Sequence, residues 1–222
     1  MKTRGMVLDP EMSVDLEPDA LTLYDMSRFQ NNGTMLGAGE PNAVRLPRGT
    51  WVWDYDGAND YMDCGSILSD WNTNWTIEIW ASYNATPPAQ TGLVSNRFGA
   101  GAAHWFSFGA DNAGLLVELH HSTPGQLYLT GGVDIRGAGW QLHHLVKEGI
   151  WVSLYSNAVL RDSDSHALWD LGGATNDVYV GRWFGAAQIW DGYLSPPKIY
   201  NYALTAGQFL QRFELTRRLF GV

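Results

Sequence analysis

The sequence predicts an all-β fold, two antiparallel sheets packed face to face, with a short helix at the C-terminal end. Three observations predict it. Segments of alternating apolar and polar residues recur along the 222 residues, separated by clusters of Gly, Asn, Asp and Pro. No internal repeat or low-complexity segment interrupts them. Only the last stretch carries the period of an amphipathic helix.

Taken in order, residues 1–16 show no period and read as an N-terminal arm lying over another surface, and residues 17–205 carry the strands. The strand segments are Thr50–Tyr55, Trp75–Ser82, Trp105–Gly109, Leu115–His121, Leu127–Thr130, Gln141–Lys147, Trp151–Ser156, Val178–Arg182 and Gln188–Leu194. In Thr76-Ile77-Glu78-Ile79-Trp80 the apolar side chains are expected on one face and Glu78 on the other. Ile77, Ile79, Trp80, Val146 and Val180 are expected to contribute core or sheet packing. Lys147-Glu148-Gly149 before Ile150-Trp151-Val152 reads as a hairpin turn. Pro196-Pro197 donates nothing to a ladder, so that point is an edge or a break. Residues 206–222 form a helix and tail: Thr205-Ala206-Gly207-Gln208 has the form of a capping box. Phe209, Leu210 and Phe213 then share a face, which Leu219 and Phe220 extend. Arg212, Arg217 and Arg218 fall on or near the other side, where the helix end favours positive charge.

Four passages carry a family resemblance: Leu23-Tyr24-Asp25-Met26-Ser27 with Asn31-Asn32-Gly33-Thr34; Asp56-Gly57-Ala58-Asn59-Asp60-Tyr61-Met62-Asp63-Cys64-Gly65; Trp140-Gln141-Leu142-His143-His144-Leu145-Val146; and Trp190-Asp191-Gly192-Tyr193-Leu194-Ser195 running into Ile199-Tyr200-Asn201-Tyr202-Ala203-Leu204-Thr205. In this order, from about Leu21 to Thr205, the chain resembles laminin-G-like, concanavalin A-like jelly-roll domains. The resemblance implies a two-sheet jelly-roll sandwich. That fold serves lectins, hydrolases, adhesion modules and virion parts alike, so it implies less about function.

Composition narrows the classes. A net charge of −9 repels phosphate backbones and argues against nucleic acid as a partner. Cys64 is the one cysteine, so no disulfide forms within the chain. No apolar run has the length of a membrane span, and residues 1–10 lack a signal-peptide core. Eleven Trp and ten Tyr exceed the ordinary needs of a core, which places some at a surface or interface, although strands favour aromatics in any case.

Catalysis finds little support. Glucan-cleaving relatives carry paired carboxylates on one strand, and no Glu-x-Asp-x-x-Glu pattern occurs here. Glu78 and Glu118 stand alone in strand segments and read as solvated outward residues. His120-His121 and His143-His144 are neighbours on strands, so the members of each pair point to opposite faces and do not chelate one ion. Cys64 reads as a buried thiol. No Gly-x-Ser-x-Gly elbow is present, and Gly99-Ala100-Gly101 and Gly131-Gly132 lack the context of a phosphate cradle.

The resemblance implies a calcium site near the first loop, with Asp25, Asn31, Asn32 and Asp191 as oxygen donors and Asp56 or Asp60 nearby. The other reading of Asp25, Asn31 and Asn32 is a turn that hydrogen-bonds its own backbone. For a glycan or partner surface the candidates are Trp71, Trp169, Trp183 and Phe184, with Arg182 or Arg97 beside them; the other reading of the tryptophans is packing at the sandwich edge. Phe213, Leu219 and Phe220 are candidates for contact with a partner protein, or for a clamp onto the sandwich itself.

Three functions of different classes follow. The first is a non-enzymatic structural component of a virus or phage particle, a capsid decoration or accessory head or tail protein that binds capsid or tail subunits or itself and is made in the host cytoplasm without export. The second is a calcium-dependent glycan- or cell-surface-binding module, working outside the cell. The third is a carbohydrate-active enzyme. The absence of an export signal, the single module and the aromatic content place the virion role first.

Overall fold

The computed structural model describes residues 6–8, 22–25, 27, 29–37, 41–68, 71–84, 90–96, 105–121, 125–132, 135, 138–165, 177–184 and 188–222. In chain order the strands are β1 (Met6–Leu8), β2 (Thr22–Leu23), β3 (Gly33–Leu36), β4 (Asn42–Arg45), β5 (Trp51–Asp56), β6 (Tyr61–Asp63), β7 (Trp75–Tyr83), β8 (Thr91–Ser95), β9 (Trp105–Asp111), β10 (Gly114–His121), β11 (Gly125–Thr130), β12 (Gln141–Glu148), β13 (Trp151–Ser156), β14 (Val159–Ser165), β15 (Tyr179–Val180), β16 (Asp191–Leu194) and β17 (Lys198–Tyr200), followed by helix α1 (Ala206–Phe220). Among the described residues, nine strands make one sheet in the order β14-β13-β12-β7-β16-β5-β4, with β17 also against β7 and β1 against β17. Eight make the other, in the order β11-β10-β9-β8-β15-β6-β3-β2. Every pairing is antiparallel, as in β7–β12 and β9–β10. The fold is the expected two-sheet sandwich with one C-terminal helix.

Alternation builds the core. Trp75, Ile77, Ile79, Ala81 and Tyr83 of β7 face Phe106, Phe108 and Ala110 of β9 and Leu115, Val117 and Leu119 of β10 in one cluster. Each such side chain removed from water contributes roughly 1.5–3 kcal/mol. Ile77, Ile79 and Val180 lie in this core as expected. Trp80 and Val146 are buried too, but on the opposite face of the nine-stranded sheet, beneath α1. The period of two puts Trp80 with Glu78 and Thr76, not with the isoleucines.

The strands not anticipated are short or lack contrast. β14 carries the polar run Arg161-Asp162-Ser163-Asp164-Ser165 on a sheet edge, and β8 (Thr91-Gly92-Leu93-Val94-Ser95) is buried on both faces. Of the segment expected over 178–182, Tyr179–Val180 form β15, and from Gly181 (φ 82°) the chain turns out of the ladder. Pro196-Pro197 is a break. β16 and β17 both pair with β7, and between them the N–H of Ser195 donates to the Trp80 carbonyl (2.9 Å) while the Ser195 Oγ accepts the Trp80 N–H (2.9 Å). The serine side chain thus supplies the acceptor that the proline pair interrupts.

Helix α1 begins at the predicted capping box: the Gln208 N–H donates to Thr205 Oγ1 and the Thr205 N–H to Gln208 Oε1. Its inner face covers the outside of the nine-stranded sheet. Phe220 stacks on Trp80 at 4.3 Å between ring centroids, and Phe213 lies at 5.9 Å. Leu219 packs on the same cluster, with Val52 and Leu142. Phe213, Leu219 and Phe220, expected against a partner or clamped to the sandwich, pack on the chain's own sheet, Phe213 and Leu219 remaining partly exposed. Phe209 closes the other end against His144 (4.4 Å) and Tyr155 (4.5 Å).

Glu78 is a second correction. It points away from the core as expected, yet it is buried because α1 lies over it. Arg212 grips it with two nitrogens, Nε to Oε2 and Nη2 to Oε1 at 2.9 Å, and His144 Nε2 lies 3.2 Å from Oε2. Arg212 was expected on the solvent side of the helix; it faces the sheet. In the arm, β1 adds to the sheet edge beside β17, with Met6 opposite Tyr200. No helix among the described residues is long and apolar enough to cross a membrane.

Candidate functional site

The outer face of the eight-stranded sheet carries a continuous polar row. Read across the strands, Thr34 stands opposite Asp63, Asp63 opposite Tyr179, Tyr179 opposite Ser95, Ser95 opposite Ser107, Ser107 opposite Glu118 and Glu118 opposite Tyr128. Their inward neighbours Met35, Met62, Val180, Val94, Phe106, Val117 and Leu129 are core residues, so the row is outward by alternation.

The chain itself crosses the middle of this row. Beyond Gly181 the backbone of Arg182 and Trp183 runs over β8 and β9, held by Ser95 Oγ, which donates to the Arg182 carbonyl (2.8 Å), and by Ser107 Oγ, which donates to the Trp183 carbonyl (3.3 Å). Two glycines make the approach possible. A Cβ at Gly92 would lie 2.0 Å from the Arg182 carbonyl carbon, and one at Gly109 2.9 Å from the Trp183 ring. The crossing segment opens a hairpin in which the Trp183 N–H donates to the Gln188 carbonyl and the Trp190 N–H to the Gly181 carbonyl.

On the β15–β6 side of the crossing lies a compact group. The Arg182 guanidinium carbon sits 4.8 Å from the centroid of Tyr61 and 5.1 Å from that of Tyr179. The two rings meet edge to face at 5.9 Å. A cation held against two aromatic rings is fixed in direction as well as attracted. Asp63 and Asp177 stand close by. Burial, then the charges of Asp63 and Asp177, push the Tyr179 phenol up to about 12, so it keeps its proton throughout the physiological range. Asp177 is raised as well, by burial and by Asp63. The Asp63 Oδ1 accepts the Gly65 N–H, which fixes that carboxylate beside the tyrosine. Across the crossing, Tyr128 Oη donates to Glu118 Oε1 (3.1 Å). Glu118 is buried in this contact, a correction to the solvated residue expected.

Of the aromatic candidates, Trp71 and Trp183 are corrected. Trp71 is 1% exposed and packs on Trp75 and Phe106 at ring distances of 5.4 and 4.8 Å. Trp183 is 0% exposed, the wedge that seats the crossing segment. A large ring that follows a glycine turn is read as a loop platform in sequence but fills the nearest apolar gap in the fold. Phe184 is half-buried next to this wedge. Trp169, Arg97, His104 and His166 lie outside the described residues, as do the side chains of His120 and His121. Arg182 alone of the predicted ligand residues stands in the group, and its partners Tyr61, Asp63, Tyr179 and Asp177 were missed. The signal was present: in Asp60-Tyr61-Met62-Asp63 and Val178-Tyr179-Val180 strict alternation sends the tyrosines and Asp63 outward.

The first loop is a self-closed turn. The Asp25 carboxylate accepts hydrogen bonds from the Ser27 N–H (2.8 Å), the Ser27 hydroxyl (2.8 Å) and the Asn31 N–H (2.7 Å), while Asn32 Oδ1 accepts the Asp25 N–H (3.0 Å). Asp191 opens β16 in the other sheet, opposite Asp56, and accepts from Asn84 Nδ2 at 3.3 Å. These bonds are those of the turn reading, and the calcium reading is left to experiment. Asp25→Ala is expected to lower the melting temperature by several degrees, because three donors lose one acceptor at about 1 kcal/mol each. The loss should be equal in chelator and in millimolar calcium, read by thermal unfolding. A wild-type transition that rises with calcium and a variant that does not respond would restore the metal site.

Comparison with known proteins comes to the same architecture. A family model described as the concanavalin A-like lectin/glucanases superfamily matches residues 56–208. No curated protein matches the chain. Among solved structures, domain 4 of a GH43 extracellular arabinanase from Geobacillus stearothermophilus, in complex with arabinotriose, is similar with a TM-score of 0.71 at 17% identity, over 85% of this chain and 91% of that one. The binding domain of Paraclostridial Mosquitocidal Protein 1 is similar with a TM-score of 0.73 at 15% identity, over 94% of this chain and 51% of that one. The receptor binding domain of botulinum neurotoxin D is similar with a TM-score of 0.71 at 12% identity, over 95% of this chain and 52% of that one. The chain therefore spans about half the length of the two toxin domains, and at these identities the likeness is one of fold.

Proposed function

We propose that this chain, which belongs to the concanavalin A-like lectin/glucanases superfamily, is a non-enzymatic carbohydrate-binding module that takes an oligosaccharide on the outer face of its eight-stranded sheet. The observation that carries this is the Arg182–Tyr61–Tyr179 group beside Asp63 and Asp177. Sugar hydroxyls both donate and accept, and this patch sets a five-donor guanidinium beside two carboxylates and aromatic rings. The arabinanase domain of the same fold is described in complex with arabinotriose, which supports a sugar as the ligand class.

The two strand glutamates weighed for catalysis sit on different sheets, Glu78 on β7 and Glu118 on β10, and Glu78 is held by Arg212. That favours binding without hydrolysis. Phe213, Leu219 and Phe220 pack on the chain's own sheet, and the arabinotriose-bound domain of the same fold supports a sugar ligand, so the carbohydrate reading is placed before the virion role.

Titration of the purified protein against neutral and acidic oligosaccharides, followed by calorimetry, is expected to give saturable binding in the micromolar to millimolar range. Tyr61→Ala should weaken it about tenfold or more, a loss of roughly 1.5 kcal/mol, with the melting transition retained. Absence of binding to any oligosaccharide, or full binding by Tyr61→Ala, would overturn the proposal.

A further inference from the structure

Arg182 is a permanent cation. Among the described residues no carboxylate hydrogen-bonds its guanidinium, and its Nε is buried with no partner. Its contacts are the rings of Tyr61 and Tyr179. Asp63 and Asp177 are near enough to act on Tyr179, yet neither pairs with the arginine. Compare Arg212, which meets Glu78 with two nitrogens. A partly desolvated guanidinium with open donors is unfavourable until an anion fills the fork.

We propose that Arg182 is the specificity residue of the site and takes the carboxylate of an acidic sugar, a hexuronic or sialic acid unit, in a bidentate contact. This rests on the carbohydrate reading above and narrows it. The two tyrosine rings hold the guanidinium plane, and Ser95 fixes the Arg182 carbonyl, so the fork is set before ligand arrives. A neutral sugar leaves the charge unmatched. A planar carboxylate matches the fork, whereas a lysine ammonium would offer a point charge only. Asp63 and Asp177 lie on the same side and accept hydroxyl protons of the sugar ring. They also oppose a second negative charge, which restricts the ligand to one carboxylate at this position.

The test uses the full chain and three ligands of equal length: an oligogalacturonate, its methyl-esterified neutral form and a sulfated neutral oligosaccharide. The carboxylate form should bind about 10- to 100-fold more tightly than the ester, the range of a charge-assisted hydrogen-bonded pair. Its affinity should fall with added salt while that of the ester stays flat. Arg182→Met should abolish the preference, so that acid and ester bind with equal affinity. Arg182→Lys should keep the salt dependence and lose most of the preference, and it serves as the readout if the methionine variant folds poorly. Equal affinity for acid and ester would overturn the inference and leave the carbohydrate reading standing. Tighter binding of the sulfated ligand than of the uronate would overturn the assignment to a carboxylate. Failure of all three ligands would overturn both proposals.

Discussion

Glu78→Gln is expected to destabilise the protein by about 3 kcal/mol, the low end for breaking a buried ion pair. The low end applies because Arg212 keeps 27% of its side chain in water, while Glu78 keeps 4%. The substitution keeps volume and removes charge. It leaves Arg212 over Tyr200, at 5.1 Å from the ring, without its bidentate acceptor, and weakens the contact to His144. The damage should reach α1 first, since Arg212 is the polar anchor between the Phe209 end and the Phe213–Phe220 end of the helix. A double-mutant cycle with Arg212→Met should show coupling of about 1–3 kcal/mol, because the paired loss is less than the sum. A loss below about 0.5 kcal/mol, with no coupling, would mean that ring packing alone holds the helix.

The same pair sets the response to acid. Arg212 and His144 hold the folded Glu78 carboxyl down at about 2, against its own burial, from an ordinary value of 4.5. Its contribution is complete above pH 4.5 and is lost as pH falls toward 2. His143, turned into the core, is pushed down to about 3 by burial from 6.5. The unfolded chain takes up that proton first, so stability begins to fall below pH 6.5. The wild type should therefore lose stability in two stretches, and Glu78→Gln should keep the upper and lose the lower.

Alternation made the sandwich legible, and alternation alone left the helix side hidden. Nothing local to Glu78 says that a helix 130 residues later will cover it, so a lone strand glutamate reads as solvated. For the same reason nothing local to Trp80 says that Phe213 will stack on it. The capping box at Thr205 was legible because its partners are three residues apart. The ligand-binding group was half legible. Arg182 ends a predicted strand, but Tyr61 joins it only through sheet order β8-β15-β6, which sequence spacing does not encode.

Gly92→Ala is expected to remove ligand binding while leaving the sandwich folded. A Cβ at this position would lie 2.0 Å from the carbonyl carbon of Arg182, 2.1 Å from its oxygen and 2.3 Å from the Trp183 nitrogen. These are backbone atoms, so no rotamer change relieves them, and the crossing segment must lift from β8. Lifting breaks the Ser95 and Ser107 hydrogen bonds and unseats the Trp183 wedge. The stability loss should fall at about 2–3 kcal/mol, the upper range for overpacking. Arg182 then leaves Tyr61 and Tyr179, and oligosaccharide affinity should drop at least about tenfold, a change of roughly 1.4 kcal/mol. Gly109→Ala differs, because its Cβ would meet the Thr91 carbonyl at 1.9 Å within the β8–β9 ladder, so it should damage the sheet itself. Gly207→Ala supplies the control. Nothing lies within 4 Å of that Cβ, and in the first turn of α1 alanine should add up to about 1 kcal/mol through lower backbone entropy, with binding unchanged. Full affinity in Gly92→Ala, at a melting temperature near that of the wild type, would show that the sheet yields instead of the crossing segment. The group at Arg182 would then owe its position to the hairpin beyond Trp183, not to the glycine floor beneath it.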